Sequence, residues 1–345
     1  MKKLNRALSL STAAALALSL TACSGGTSGT ADTPTANASA STGGSGGTYT
    51  VAVIKQMDHA SLDEIADAIA ARLDEIAAEN GVTIQYEVTS GQGDQTVLRQ
   101  LADQAIADGV DAIIPIATTA AQVAAVSAED SQTPVVYAAI SYPETADLTG
   151  IDYVTGTSDA LDTNLILDMM LAQNPDLQSV GLLYSLSEPN SEVPIADAKA
   201  YLDEKGIAYT EATANTNDEV IAAASSLIAD GVDAVFTPTD NIIMAAELAI
   251  YEDFINAGIP HYTGADSFVR NGAFATCGVN YTDLGAQTAD LAYQAMTEGM
   301  DSLEDYYQVA GGLITVNSET AEALGIDTSV FESLGEVAAV TTTEE

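Results

Sequence analysis

One seven-residue sequence occurs twice in this chain, and it constrains the fold more than any other feature. Ile106–Ala112 is repeated letter for letter as Ile228–Ala234. Each copy ends a segment with helical spacing of apolar residues, turns at a glycine and enters a short apolar run that stops in a polar loop. The flanking segments also correspond, so the repeat predicts two similar halves that alternate helix and strand. We expect an α/β fold of two Rossmann-like lobes, whose parallel sheets face each other across a ligand cleft.

Residues 1–22 have the pattern of a targeting segment. Three basic residues precede the apolar run Ala7–Leu20, which is too short to span a membrane as a stable helix. The run ends in Leu20–Cys23, which has the form of a bacterial lipoprotein box with Cys23 as the lipidated residue. Residues 23–47 are mostly Gly, Ser, Thr, Ala and Asn, which predicts a flexible tether. We therefore expect a signal peptide and a lipid anchor on the outer face of the cell membrane.

The composition argues against several classes of function. The chain has 50 Asp and Glu against nine Lys and Arg, a net charge of −41, and such a chain is repelled by nucleic acids and by anionic surfaces. Once Cys23 is lipidated, Cys277 has no cysteine left to pair with, and no Cys and His spacing fits a metal site. No nucleophile motif or phosphate loop is present either. We predict no catalytic residue, no metal, no cofactor and no nucleic-acid partner.

The order of the predicted elements places the domain boundaries. Strands and helices alternate from residue 51 to residue 155, and the same scheme begins again near residue 156. Near the end of the chain, Leu284–Glu298 is predicted to be a helix and Tyr307–Thr315 a strand region. We predict that lobe 1 comprises residues 48–155 and about 276–305, and lobe 2 residues 156–275 and about 306–340. The hinges are then expected near residues 155 and 275.

Polar side chains follow the predicted strands of both halves. They are Gln56, Thr118 and Thr119 in the first half, and Glu188, Asn190, Ser191, Asp240, Asn241 and Asp266 in the second. Each of them is of a type that also commonly caps a helix or faces solvent, but polar strand ends on both halves are what a cleft that closes on a small polar ligand needs. The helix start at Thr118 and Thr119 suits a carboxylate. Asp240 suits an ammonium group, with Asp266 as the next candidate.

Two further sets of residues have open interpretations. His59 follows the first strand, where it either lines the cleft or caps the helix that begins near Ser61. His261 is interpreted as structural. Five aromatic residues near the same strand ends either contact an apolar part of the ligand or belong to the core. They are Tyr137, Tyr142, Tyr184, Phe236 and Phe268.

Several motifs resemble, in order, those of the solute-binding lipoproteins of one family of ABC importers. They are Val53–Gln56 with His59, Gly93–Asp94, Ile116–Gln122, Val154–Gly156, Tyr184 with Glu188–Ser191, Pro238–Asn241, Gly272–Ala273, Tyr281 and Leu284–Gly285. The resemblance covers most of residues 50–330, and Glu188–Ser191 and Thr239–Asn241 are its most specific parts. Two departures are Ala60, where the family often has Pro, and Tyr142-Pro143, where it often has Asp-Pro.

The resemblance implies a type I periplasmic-binding fold without catalysis. It also implies delivery of a small organic solute to a membrane permease driven by an ATPase. Some members of the family take aromatic amino acids, so we expect an amino acid as the ligand, with an aromatic one favoured. Two alternatives stay open, a ligand-sensing surface lipoprotein and a surface enzyme, and the missing catalytic residues argue against the second.

Overall fold

The two copies of the repeated sequence occupy equivalent places in two separate sheets. In the computed structural model, which describes residues 46–343, each copy ends a helix at a glycine in the left-handed region. The carboxylate of Asp111 accepts a hydrogen bond from the amide of Thr50 at 2.7 Å, and that of Asp233 accepts one from the amide of Ser179 at 2.9 Å. Each Asp thereby fixes the strand it precedes to the first strand of its own sheet.

The first sheet is parallel throughout. Its strands are β1 (Thr48–Lys55), β2 (Thr83–Ser90), β3 (Ala112–Ile116), β4 (Val135–Tyr137), β5 (Val154–Ser158) and β11 (Tyr307–Gln308). They lie in the order β11-β5-β4-β3-β1-β2. We call the part of the chain built on this sheet lobe 1.

The second sheet has seven strands and one antiparallel pair. The strands are β6 (Ser179–Tyr184), β7 (Ala208–Thr213), β8 (Ala234–Thr237), β9 (His261–Thr263), β10 (Ala275–Gly278), β12 (Leu313–Asn317) and β13 (Val337–Val340). They lie in the order β13-β12-β10-β9-β8-β6-β7, and only β10 and β12 run antiparallel. The part built on this sheet is lobe 2, and the predicted α/β fold with two largely parallel sheets is confirmed.

Helices connect the strands and cover the sheets. They are α1 (Ala60–Asn80), α2 (Gln95–Asp108), α3 (Thr118–Ala128), α4 (Thr163–Gln173), α5 (Glu192–Lys205), α6 (Asn217–Asp230), α7 (Asn241–Ala257), α8 (Asp266–Arg270), α9 (Tyr281–Glu298) and α10 (Ser318–Leu324). Short 3-10 turns lie at Pro189–Ser191, Met300–Ser302 and Thr328–Ser333. Within residues 46–343, no helix combines the length and the apolar character that a membrane span requires.

Helix α9 returns to lobe 1 and packs closely against α1. A Cβ atom at Gly285 would lie 2.7 Å from the Cβ of Ala68 and 2.7 Å from the carbonyl oxygen of Ile65. Only glycine therefore allows the two helices to approach this closely without a shift. This packing holds α1 in lobe 1. The start of α1 lies at the cleft between the lobes.

The chain crosses between the sheets at places that differ from the predicted boundaries. Strand β5 stays in the first sheet up to Ser158, so the first crossing follows residue 158 rather than residue 155. The predicted strand region Tyr307–Thr315 is two strands, β11 in the first sheet and β12 in the second. Gly312, with a φ of 99°, lies in the connection between them. The predicted signal peptide, Cys23 and the tether up to residue 45 lie outside the described residues.

Candidate functional site

A cavity lies where the carboxyl ends of the two sheets face each other. Its polar lining comes from His59, Thr118, Ser141 and Asp159 of lobe 1 and from Asn190, Thr239, Asp240 and Asn241 of lobe 2. The cavity has a volume of about 20 Å³, which is room for roughly one water molecule. A larger ligand therefore enters only when the lobes part.

Direct hydrogen bonds join the two lobes at this cavity. Gln56 Nε2 in lobe 1 donates to Glu188 Oε1 in lobe 2 at 2.7 Å, and Gln56 Oε1 accepts from the amide of Thr119 at 3.1 Å. The hydroxyl oxygens of Ser141 and Thr239 lie 3.2 Å apart across the same boundary. The residues in these contacts follow five different strands, three in lobe 1 and two in lobe 2.

Glu188 is the centre of a buried hydrogen-bond chain. Its Oε2 accepts from Asn241 Nδ2 at 2.6 Å, and Asn241 Oδ1 lies 3.0 Å from Nε2 of His59. Burial and the nearby charge of Asp240 raise the pKa of Glu188 to about 8. Burial lowers the pKa of His59 to about 4, so its imidazole ring is neutral at neutral pH. The sequence left open whether His59 lines the cleft or caps a helix; it occupies the N-cap position of α1 without a capping bond and lines the cavity.

Asp240 has all of its acceptor positions engaged by lobe 2 itself. Oδ1 accepts from the amides of Ile242 and Ile243 at 3.0 and 3.1 Å, which caps α7. Oδ2 accepts from the amide of Ser185 and from the hydroxyl of Ser191, each at 2.7 Å. Although Asp240 lines the cavity, a carboxylate with four protein donors has little capacity left for a ligand. The assignment of the ammonium site to Asp240 is therefore not favoured, and Ser191 supports Asp240 rather than a ligand.

Asp159 is a buried carboxylate of lobe 1 that the sequence interpretation missed. It lines the cavity, and its oxygens accept from the hydroxyls of Ser141 at 2.8 Å and Tyr281 at 3.0 Å. Burial raises its pKa, against the effect of these two hydrogen bonds. Its position just after β5 was the available signal, which the domain boundary predicted at residue 155 concealed.

Helix α3 begins beside the cavity. Thr118 lines the cavity and Thr119, the next residue, is buried. Ala117, which precedes them, has a φ of 77°, a left-handed conformation that is unusual for alanine. A helix start favours an anion through its amides and its dipole, although the amide of Thr119 is already bonded to Gln56 within lobe 1.

Asn190 lines the cavity with an acceptor that has no protein partner. Its Nδ2 donates to the carbonyl oxygen of Thr239 at 2.5 Å, and this fixes the orientation of the amide. Its Oδ1 is buried and has no hydrogen-bond partner. Because leaving a buried acceptor unpaired is costly, this atom favours a ligand that brings a donor.

Asp266, the second candidate for the ammonium group, lies away from the cavity lining. Its carboxylate binds Arg270 one helical turn later, and Arg270 also binds Glu64 on α1. Asp266 therefore belongs to an ion cluster at the edge of the lobe boundary. This placement argues against a direct role in ligand binding.

One wall of the cavity is apolar. It includes Leu62 and Ile65 of α1, Met244 of α7 and Phe268 of α8. Phe268 is the one member of the five aromatic candidates that lines the cavity. Tyr137 and Phe236 are fully buried in the sheets, and the hydroxyl of Tyr184 binds Glu211 instead. Apolar contact and polar strand ends therefore meet in the same small space.

Comparisons with known proteins agree with this geometry. The family model described as ABC transporter substrate binding protein matches residues 50–339. A tyrosine-binding protein of Clostridioides difficile (strain R20291) is 27% identical over 251 residues, which cover 71% of this chain and 72% of that protein.

Solved structures are similar as well. An ABC domain in complex with L-Trp from Streptococcus pneumoniae is 28% identical, with a TM-score of 0.75 over 84% of this chain and 100% of that one. The ligand-free, open structure of a substrate-binding protein with adhesive properties from Clostridium difficile is 25% identical, with a TM-score of 0.64 over 86% of this chain and 100% of that one.

These relatives are binding proteins, which confirms the prediction that the chain is not an enzyme. They also confirm the resemblance noted in the motifs, since the family match spans the whole two-lobed region. The family is extracytoplasmic and works with the other components of ABC transporters. The chain belongs to the family of ABC transporter substrate-binding proteins.

Proposed function

We propose that this protein is a lipid-anchored receptor that captures an amino acid between its lobes and delivers it to an ABC permease and its ATPase. The observation that carries the ligand class is Asp159, a buried carboxylate in the cavity whose two side-chain partners are neutral hydroxyls. Within residues 46–343, no Lys or Arg lines this cavity. A positive group on the ligand would compensate the charge that burial disfavours.

The remaining polar groups suit the two charges of an amino acid. Asn190 Oδ1 lacks a partner, and Asn190 is linked to Asp159 through Thr239 and Ser141. Both acceptors would receive hydrogens from an ammonium group. The helix start at Thr118 would bind the carboxylate through those backbone amides of its first turn that are not bonded to Gln56.

An aromatic side chain is supported by the apolar wall and by the relatives. Leu62, Ile65, Met244 and Phe268 offer carbon contacts to a ring. One relative is named for binding tyrosine, and another was solved with L-Trp.

A ligand panel tests this proposal. The purified protein is heated with L-tyrosine, L-tryptophan, L-phenylalanine, L-leucine, L-glutamate, a purine nucleoside and a pentose, and the melting temperature is recorded. A ligand at a hundred times its dissociation constant adds about 2.7 kcal/mol to the free energy of unfolding. We expect the aromatic amino acids to raise the melting temperature and L-glutamate to leave it unchanged. A rise with the sugar or the nucleoside alone would show that the amino acid assignment is wrong.

A further inference from the structure

The ring of His59 lines the cavity and has one nitrogen without a partner. Nε2 lies 3.0 Å from Asn241 Oδ1, whereas Nδ1 is buried and unbonded. The ring occupies the N-cap position of α1 but makes no bond to the helix amides. Because the imidazole is neutral at neutral pH, one nitrogen carries a hydrogen and the other is an acceptor.

A chain of hydrogen bonds determines which nitrogen carries the hydrogen. The backbone amide of Thr119 donates to Gln56 Oε1, so Gln56 must use Nε2 to donate to Glu188. In the complex, where the ammonium group of the ligand favours the ionised form of Glu188, this carboxylate only accepts, so Asn241 donates to it through Nδ2 and presents Oδ1 to His59. An amide oxygen also only accepts, so Nε2 of His59 carries the hydrogen and Nδ1 is an acceptor.

Apolar side chains line the cavity together with the ring of His59, namely Leu62 and Ile65 of α1 and Met244 of α7. A ligand ring in contact with these side chains would lie in the cavity that His59 lines. An ammonium group bound in the same cavity favours the ionised form of Glu188, as an opposite charge does, and this keeps Nδ1 an acceptor in the complex.

We propose that His59 Nδ1 accepts a hydrogen bond from the side chain of the bound amino acid. The site then selects an aromatic ring that carries an O–H or N–H, as in tyrosine and tryptophan, over the bare ring of phenylalanine. This inference rests on the proposed function. A ligand without the donor leaves a buried acceptor unpaired, so phenylalanine should bind at least about tenfold more weakly than tyrosine.

Calorimetric titration with two matched pairs of ligands tests the selection. L-tyrosine is compared with L-phenylalanine, and L-tryptophan with 1-methyl-L-tryptophan, because the members of each pair differ in one donor. The wild-type protein should prefer the donor in both pairs. His59→Phe, which keeps a ring but removes the acceptor, should bring both ratios of dissociation constants close to one. Asn256→Ala, at an exposed position of α7, is the control and should leave both ratios unchanged.

A second variant tests the hydrogen-bond chain without removing His59. In Glu188→Gln, Gln56 still donates to residue 188, so the new amide must turn its own NH₂ toward Asn241. Asn241 then turns its NH₂ toward His59, and the hydrogen moves from Nε2 to Nδ1. Nitrogen NMR of the L-tyrosine complex of each protein should show this change of tautomer. The chain has two histidines, and His261, held by Glu247 and Thr237, serves as the internal reference.

The outcomes separate this inference from the proposed function. Equal affinities for tyrosine and phenylalanine, or a hydrogen on Nδ1 of His59 in the wild-type complex, would overturn the inference and leave an amino acid receptor. If no amino acid binds at all, the inference and the proposed function are both wrong.

Discussion

At the scale of single residues, the two aspartates of the cavity have different surroundings and should behave differently. Asp159→Asn removes the charge that we assign to the ammonium group while keeping the shape of the side chain. A hydrogen bond to a charged group contributes roughly 1.5–3 kcal/mol, so affinity for L-tyrosine should fall about ten- to a hundredfold. The melting temperature should not fall, because Asn still pairs with the hydroxyls of Ser141 and Tyr281. Calorimetry and thermal unfolding together measure both effects.

Asp240→Asn is the matched control for that substitution. The Asn amide places an NH₂ group against donors that Asp240 now accepts from, such as the amide of Ser185. We expect the free energy of unfolding to fall by roughly 1–3 kcal/mol, with a smaller change in affinity than in Asp159→Asn. The reverse pattern, an affinity loss confined to Asp240→Asn, would return the ammonium site to Asp240.

The preference for a ligand whose ring carries a hydrogen-bond donor should depend on pH, because it depends on the protonation of Glu188. Its raised pKa, about 8, means that Glu188 is protonated below this pH and ionised above it in the free protein. The groups that face it are Gln56, Asn241 and Asp240, whose own pKa burial raises, while His59, reached through Asn241, stays neutral at pH 6 and at pH 9. A proton on Glu188 allows it to donate to Asn241, which reverses the chain and places a hydrogen on Nδ1 of His59.

We therefore expect the preference for L-tyrosine over L-phenylalanine to increase from pH 6 to pH 9. The ratio of the two dissociation constants isolates this effect, since both ligands carry the same α-amino and α-carboxyl groups. The phenol of free tyrosine, with a pKa near 10, remains largely protonated over this range. Glu188→Gln should give a ratio independent of pH. A flat ratio in the wild-type protein would argue against control by Glu188.

Sequence patterns predicted the types of the site residues better than their roles. Polar strand ends predicted Thr118, Asn190 and Asn241 at the cleft, and these three residues line the cavity, because parallel strands end at one edge of a sheet. They did not distinguish a ligand-binding Asp from a capping Asp, since both follow a strand and precede a helix, as Asp240 does. That distinction depends on contacts with Ser185 and Ser191, which are distant in sequence from Asp240 and meet it only in the folded lobe.

At the scale of elements, helix α8 of lobe 2 binds helix α1 of lobe 1 through one ion cluster. Arg270 pairs with Glu64 on α1 and with Asp266 on its own helix, and Thr282 of α9 donates to Glu64 at 3.0 Å. The pair between Arg270 and Glu64 forms only when the lobes are in contact, whereas the other two contacts lie within one lobe. This cluster should therefore stabilise the closed arrangement and slow the release of ligand.

Arg270→Gln tests that role. The pair is partly exposed, and exposed pairs contribute roughly 0.2–1 kcal/mol, so affinity for L-tyrosine should fall about two- to fivefold, mostly through faster dissociation. The difference from wild type should shrink in about 1 M salt, where charges are screened within roughly 3 Å. Stopped-flow dissociation measures the rate. Arg99→Gln, whose pair with Asp103 lies within α2, is the control and should not alter it.

The elements that the sequence predicted well are those with a local signal. Helices α2 and α6 end at glycines and α1 carries a regular apolar face, so their limits could be predicted to within two residues. Strands β10 and β13 have four residues each, which is too few to show a clear strand periodicity. The split of Tyr307–Thr315 between two sheets was missed. It depends on which sheet edge is free, and only the assembled fold supplies that information.

At the scale of the whole molecule, the repeat predicted the architecture because each copy performs the same structural task. Asp111 and Asp233 bind the first strand of their own sheets in the same way, so the same residue serves the same structural purpose in both lobes. The position of the first crossing was predicted only to within a few residues. The true crossing follows β5, whose short sequence of Val, Thr, Gly and Ser gave no clear signal of a strand.

The proposed lipid anchor is a property of the whole molecule, and it concerns residues that precede the described part of the chain. The box that ends at Cys23 and the tether up to residue 47 predict a lipid on the outer face of the membrane. Two lobes that capture a solute for a permease would gain from this, because a tether keeps the receptor at a high local concentration beside its partner. A chain with a net charge of −41 is repelled by anionic head groups, so on this hypothesis the attachment comes from the lipid.

Cys23→Ala should therefore release the protein from membranes into the soluble fraction. Its melting temperature and its affinity for L-tyrosine should match those of the wild-type protein. Cys23 lies outside residues 46–343, which contain the two lobes. Fractionation of cells that express each form measures the release, and Cys277→Ala is the matched control, since this buried thiol belongs to β10 and should leave membrane association unchanged. Membrane association that persists in Cys23→Ala after removal of the leader would contradict the lipid anchor and require a protein partner in the membrane instead.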